Sequence, residues 1–185
     1  DLGEYPKAID FYQQALEIAR RIGNVQGQGS ALANMGSAYL QLGDYRRAIG
    51  LYEQHLNIAH RIGDVQGEGT GLGNMGRAYE RLGEYRKAIG LYEQQLEIAR
   101  RVGDVQGEGS ALGNLGNAYS ALGEVERAIE HYEGALAIAR EIGDRRGEGN
   151  HLGNLGNAYS ALGEARRAIE YYEQALAIAR EIGDR

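Results

Sequence analysis

A period of 40 residues runs through the sequence and constrains the fold more than any other feature. The phrase LGNLGNAYSALGE stands at 112–124 and again at 152–164, and looser copies stand at 32–44 and 72–84. A fixed period of this length is typical of arrays in which each unit buries a core only by packing against its neighbours. We therefore predict that residues 1–185 form a single array rather than separate globular domains.

Each period carries two helical patterns, at about 105–122 and 124–142 in the third copy. Asp104 offers an N-cap to the first helix, and Gly123 and Gly143 can adopt the positive φ that ends a helix. Short connections join antiparallel neighbours, so the unit is a helical hairpin. We predict an all-α solenoid of about nine helices. A lone second helix (1–24) precedes four full repeats, at 25–64, 65–104, 105–144 and 145–184.

The first helix of each hairpin has three faces when it is drawn at 100° per residue. Ser110, Asn114 and Asn117 form a polar stripe, leucine, alanine and tyrosine form an apolar face, and Gly109 and Gly116 lie on a glycine-rich flank. Glycine costs about 1 kcal/mol relative to alanine inside a helix. Because this cost recurs in every hairpin, we expect the flank to let a neighbouring helix approach closely.

Composition excludes several classes of function. The chain has no cysteine and a net charge of -6, and no stretch approaches the apolar length of a membrane span. Nucleic-acid binding needs clustered Lys and Arg, so we expect neither nucleic-acid nor membrane partners. The absence of cysteine fits a reducing compartment. With no secretory leader visible and no initial Met, we expect a fragment or processed chain of a cytoplasmic protein.

The repeat resembles the tetratricopeptide repeat over essentially the whole chain. The family's signature residues stand here as Leu112, Leu115, Gly116 and Tyr119, followed by Ala128, Ile129, Tyr132, Ala135 and Leu136. The 40-residue period is similar to the longer repeats of Pins/LGN-type adaptors, kinesin light chains and arrays in bacterial signalling proteins. One departure concerns the small residue of the second helix: Ala15, Ala135 and Ala175 conform, but His55 and Gln95 do not.

The resemblance implies a right-handed superhelix whose first helices line a groove that binds an extended peptide. The groove positions it implies are Asn34, Ser37, Asn74, Arg77, Arg81, Ser110, Asn114, Asn117, Asn150, Asn154 and Asn157. An asparagine amide both donates and accepts hydrogen bonds, which suits a peptide backbone. Arg77 and Arg81 offer charge-assisted bonds to an acidic side chain. The alternative is that the asparagines brace adjacent helices. Repeats of this family that bind a C-terminal carboxylate have Lys or Arg at the positions of Ser110 and Asn114. A C-terminal carboxylate is therefore not the expected ligand.

No catalytic, cofactor or metal site emerges from the sequence. The glycines of GEGSALG at 107–113 lack the preceding strand of a dinucleotide-binding turn. His55 and His60 are five residues apart and do not converge as a helical metal pair would. Tyrosines recur at two hairpin positions, where we expect core packing. We therefore predict a non-catalytic scaffold for protein–protein interaction, without cofactor.

Two other functions remain open. One is self-association of the array head to tail through uncapped ends, because terminal repeats normally carry a polar outer face. The residues predicted for such contacts are Ile9, Phe11, Tyr12, Leu16, Leu176, Ile178 and Ala179. The other possibility is a regulatory module of a larger signalling protein.

Overall fold

The computed structural model describes residues 4–183, and every regular element within them is an α-helix. The nine helices are α1 (Glu4–Arg21), α2 (Val25–Gln41), α3 (Tyr45–Ile62), α4 (Val65–Arg81), α5 (Tyr85–Val102), α6 (Val105–Ala121), α7 (Val125–Glu141), α8 (Arg145–Ala161) and α9 (Ala165–Glu181). The predicted class and helix number are confirmed for this range. Residues 1–3 and 184, which belong to the predicted first segment and last repeat, lie outside it. None of these helices is long and apolar enough to cross a membrane.

The helix ends follow the residues that the sequence places there. Asp104 caps α6, because its Oδ1 accepts a 2.8 Å hydrogen bond from the backbone N–H of Gly107. Asp144 caps α8 in the same way through Gly147, at 2.9 Å. Gly123 and Gly143 have φ of 76° and 72°, which an L side chain rarely adopts. Glycine therefore stands just after the ends of α6 and α7 because the backbone there has a positive φ.

The chain divides into two compact units, Asp1–Ile98 and Ala99–Arg185. In the first unit, α1 and α2 share a core around Leu16, Leu32 and Met35, and a second cluster surrounds Tyr52. In the second unit, α6 to α9 bury leucines and aromatic rings along their contacts. The most buried of these are Leu115, Tyr119, Leu152 and Leu155.

The glycine flank brings the two helices of a hairpin close together. A Cβ atom placed on Gly116 would lie 2.5 Å from ring carbons Cδ1 and Cε1 of Tyr132. The same contact recurs between Gly36 and Tyr52, at 2.7 Å, and between Gly156 and Tyr172, at 2.5 Å. The predicted close approach is confirmed, because the tyrosine ring occupies the space that a side chain would need.

Candidate functional site

Five of the predicted groove positions line one cleft in the second unit. The cleft has a volume of ≈ 490 Å³ and lies among α6, α7 and α8. Its polar lining includes Ser110, Asn114, Asn117, Asn150 and Asn154. Asn157 does not line it; its Oδ1 accepts a 2.8 Å hydrogen bond from the Tyr172 hydroxyl.

The opposite wall of the cleft is apolar and comes from α7. Ile138 and Ala139 contribute it together with Ile142, the C-cap residue that follows the helix, and Ala135 lies fully buried at the base. The glycine residues 109 and 113 of α6 also line the cleft and place no side chain in it. A ligand segment entering the cleft would therefore meet amide and hydroxyl groups on one side and aliphatic groups on the other.

Part of the asparagine stripe braces the protein itself. The Oδ1 of Asn117 accepts the Tyr132 hydroxyl at 2.9 Å and the amide of Asn154 at 3.4 Å. The second bond joins α6 to α8, as the bracing alternative requires. Asn114 and Asn150 line the same cleft without being part of this pair. The stripe therefore combines a structural contact with amides directed to a ligand-sized space.

His151 is a cleft residue whose role the sequence analysis missed. Its ring lies against Gly113, where a Cβ atom would stand 2.9 Å from His151 Cε1. Its Nδ1 is buried without a hydrogen-bond partner. Burial lowers the pKa of His151 and the nearby Asp144 charge opposes the shift, so the ring is neutral at pH 7. The available signal was its size, since the equivalent residues are Ala31, Gly71 and Ala111.

The predicted positions of the first unit are arranged differently. Ser37 shares a 3.2 Å hydrogen bond with the Tyr52 hydroxyl. Arg77 occupies the equivalent position in the next repeat, and its guanidinium cannot accept a hydrogen bond. The Tyr92 hydroxyl donates to Glu80 at 2.8 Å instead. Burial, followed by the Glu80 charge, raises the pKa of Tyr92. Arg77 and Arg81 are both exposed, as is Asn34, while Asn74 is half-buried.

Comparison with known families decides the classification. The family model described as the tetratricopeptide repeat matches residues 1–61, 67–141 and 107–181. The chain belongs to the tetratricopeptide repeat family. The resemblance seen in the sequence is thereby confirmed. Tetratricopeptide folds are typical of protein interaction modules and are generally non-catalytic scaffolds.

Solved structures share this tetratricopeptide fold. BtubC (BKLC) from P. vanneervenii is 25% identical, with a TM-score of 0.90 over 99% of this chain and 76% of that chain. A putative kinesin light chain from Podosopora anserina is 22% identical, with a TM-score of 0.80 over 99% and 90%. A Rap protein complexed with competence and sporulation factor is 20% identical, with a TM-score of 0.84 over 99% and 51%. Among curated proteins, no match was found.

The two end helices of the tetratricopeptide array expose only some of the residues predicted for end contacts. Phe11 is 68% exposed and Leu176 is 49% exposed. The prediction is wrong for Ile9, Leu16 and Ile178, which are buried because α1 packs on α2 and α9 packs on α8. Tyr12 and Ala179 are half-buried. Three large exposed apolar side chains on these helices were not predicted, namely Ile18, Ile169 and Tyr172.

Proposed function

We propose that this chain is a non-catalytic interaction module that binds an extended peptide segment in the cleft formed by α6, α7 and α8. The observation that carries the proposal is the convergence of Ser110, Asn114, Asn117, Asn150 and Asn154 on one ≈ 490 Å³ space. Ligand sites are concave and place polar groups beside apolar ones, and this cleft combines both, with the polar groups in the majority.

The chemistry of the lining favours a peptide over a small charged metabolite. Each asparagine amide offers both donors and an acceptor, which matches the alternating N–H and C=O groups of an extended backbone. The α7 wall gives shallow apolar contact. The Rap protein of the same fold was solved with competence and sporulation factor, which supports a partner-binding role for such arrays.

A second contact is proposed in the first unit, where Arg77 and Arg81 lie one helical turn apart and are both exposed. Guanidinium groups form bidentate, charge-assisted bonds with carboxylates. We propose that they hold an acidic side chain of the partner. One oxygen of the neighbouring Glu80 is engaged by Tyr92, which reduces its competition for the arginines.

The test begins with selection of random linear dodecapeptides displayed on phage against the wild-type chain. Affinities of the selected peptides are then measured by fluorescence anisotropy for the wild type and for Asn114→Ala with Asn154→Ala. Each lost hydrogen bond is worth about 0.5–1.5 kcal/mol, so we expect a weakening of about tenfold. A matched control is Ser120→Ala with Ser160→Ala, which alters exposed residues of the same helices outside the cleft. Unchanged affinity in the asparagine variant, with helicity retained, contradicts the proposal.

A second candidate function is self-association through the end helices. It is favoured by the apolar face of α9, on which Ile169, Tyr172 and Leu176 are all exposed, and by Phe11 on α1. Contiguous exposed apolar groups mark interaction surfaces. Either activity would also serve a regulatory module in a larger signalling protein.

A further inference from the structure

Two clefts of this array are lined at equivalent repeat positions but differ greatly in volume. A small cavity of ≈ 20 Å³ in the first unit is lined at positions 26, 29, 30, 55, 58, 59, 62 and 64. Every one of these positions has its equivalent, 80 residues later, in the lining of the ≈ 490 Å³ cleft. Seven of the eight pairs are identical residues, and only the pair His55 and Ala135 differs. The difference in volume therefore points to this pair.

His55 fills its cleft with an imidazole ring. Its Nδ1 lies 3.0 Å from the carbonyl oxygen of Gly29 on α2, and its Nε2 lies 3.0 Å from that of Gly67 on α4. A Cβ atom on Gly71 would stand 2.8 Å from Cδ2 of the same ring. His55 is itself buried. The ring therefore spans the space between two first helices and packs on a glycine that leaves room for it.

The second unit reverses the sizes of that pair of side chains. Ala135 replaces the imidazole with a methyl group, and His151 stands where the first unit has Gly71. The His151 ring packs against Gly113 on α6 and forms part of the cleft lining. The space that His55 occupies in the first unit is consequently left open beside α7.

We propose that the side chain at one repeat position, which is residue 55 in the first unit and residue 135 in the second, determines which cleft accepts a ligand. His55 closes the first cleft, Ala135 opens the second, and the open cleft takes an uncharged side chain with an apolar stem and a hydrogen-bonding end. This inference rests on the proposed peptide-binding function and adds to it the subsite and the class of side chain.

The lining explains why the side chain is uncharged. Asp144 is the one carboxylate in the lining, and its Oδ1 already accepts the Gly147 N–H that caps α8. The remaining polar groups are amides, a hydroxyl and His151. Burying an unpaired charge is costly, whereas an amide or hydroxyl can pair with the asparagines that line the cleft. Glutamine, asparagine and threonine side chains have the required chemistry.

The experiment uses dodecapeptides selected on the wild-type chain and measures their affinity for a variant with a closed cleft. Ala135→His with His151→Gly recreates the His55 and Gly71 pair, and the glycine gives the new ring its space. We expect at least a tenfold loss of affinity. His55→Ala is the reciprocal change in the first unit and should not weaken binding, because it removes no group from the cleft of the second unit. Should the double variant fail to fold, Ala135→Gln, which introduces the residue found at position 95, supplies the same test.

The outcomes separate this inference from the proposed function. Peptides that depend on Asn114 and Asn154 but bind a folded closed-cleft variant with unchanged affinity overturn the inference and leave the function standing. A consensus with a charged side chain that depends on Ala135 overturns the uncharged class. Failure to select any peptide on the wild type overturns the function and the inference together. A neutral consensus that is lost on closing the cleft supports both.

Discussion

At the scale of single residues, the glycines of the first helices are the positions where size matters most. Gly116 lies against the Tyr132 ring, whereas the helical Gly153 has nothing within 4 Å of an added Cβ. These two residues lie in equivalent kinds of helix within the same unit. They therefore separate the cost of a clash from the intrinsic preference of a helix for alanine.

We predict opposite effects for the two glycine substitutions. Gly116→Ala should lower the free energy of unfolding by about 1–2 kcal/mol, because overpacking exceeds the gain in helix propensity. Gly153→Ala should raise it by about 0.5–1 kcal/mol, since only the propensity changes. Urea unfolding followed by circular dichroism measures both. Equal effects of the two substitutions would contradict the packing described for Tyr132.

His151 should make stability depend on pH. Burial lowers its pKa below the ordinary value of 6.5, so the unfolded chain takes up the proton first as the pH falls. The contribution of His151 to the free energy of unfolding is therefore constant above about pH 6.5. It declines as the pH falls from there to the pKa of the folded state. We expect the wild type to lose more unfolding free energy than His151→Ala between pH 7 and about pH 5. Parallel pH profiles of the two proteins would argue against a buried neutral imidazole.

The residue scale also marks the limit of prediction from sequence. Asp104, Gly123 and the glycine flank were predictable, because caps, positive φ and helical spacing are local properties. The roles of His55 and His151 were not, because each depends on the size of a side chain on another helix. Ile9, Leu16 and Ile178 were assigned to the ends for a related reason: a helical pattern identifies an apolar residue but not which neighbour covers it.

At the scale of helices, an ion-pair network joins α7, α8 and α9. Glu148 is nearly buried; its Oε1 accepts a 2.8 Å bond from Arg140, and Arg145 pairs with both Glu148 and Glu181. The Arg140 bond, with Arg145, holds the pKa of Glu148 below its ordinary value despite burial. The network is therefore intact at neutral pH and weakens as the pH falls through the acid range. The equivalent Glu108 pairs with Arg100 at 2.8 Å and is more exposed.

We predict that Glu148→Gln destabilises the second unit by about 1–3 kcal/mol, because charge-assisted bonds are lost from a nearly buried group. Glu108→Gln is the control and should cost under about 1 kcal/mol, as expected for an exposed pair. Thermal unfolding of both variants at pH 7 provides the comparison. If Glu108→Gln proves equally destabilising, burial does not set the strength of these pairs.

At the scale of the whole molecule, the end helices α1 and α9 expose apolar side chains, and we propose that these mediate association. Internal second helices bury the tyrosine equivalent to Tyr172, as Tyr52 and Tyr132 show, while Tyr172 is 39% exposed. The same comparison applies to Leu136, which is buried, and Leu176, which is not. The repeat pattern alone did not distinguish these copies, because their sequences are nearly the same and only their neighbours differ.

We predict that the mass of the wild-type chain rises with concentration in light scattering and that Leu176→Asp keeps it monomeric. Ala177→Asp introduces the same charge at an adjacent exposed position of α9 and should leave the association intact. A monomeric wild type at all concentrations would exclude self-association through these ends.

The most direct test of the central claim is a backbone-amide NMR titration of the wild-type chain with a selected dodecapeptide. If the cleft of the second unit is the binding site, the largest shifts will fall on Asn114, Asn150 and Asn154 and on Ala135 at the base. Shifts confined to the α9 face around Leu176, with none in the cleft, would contradict the account.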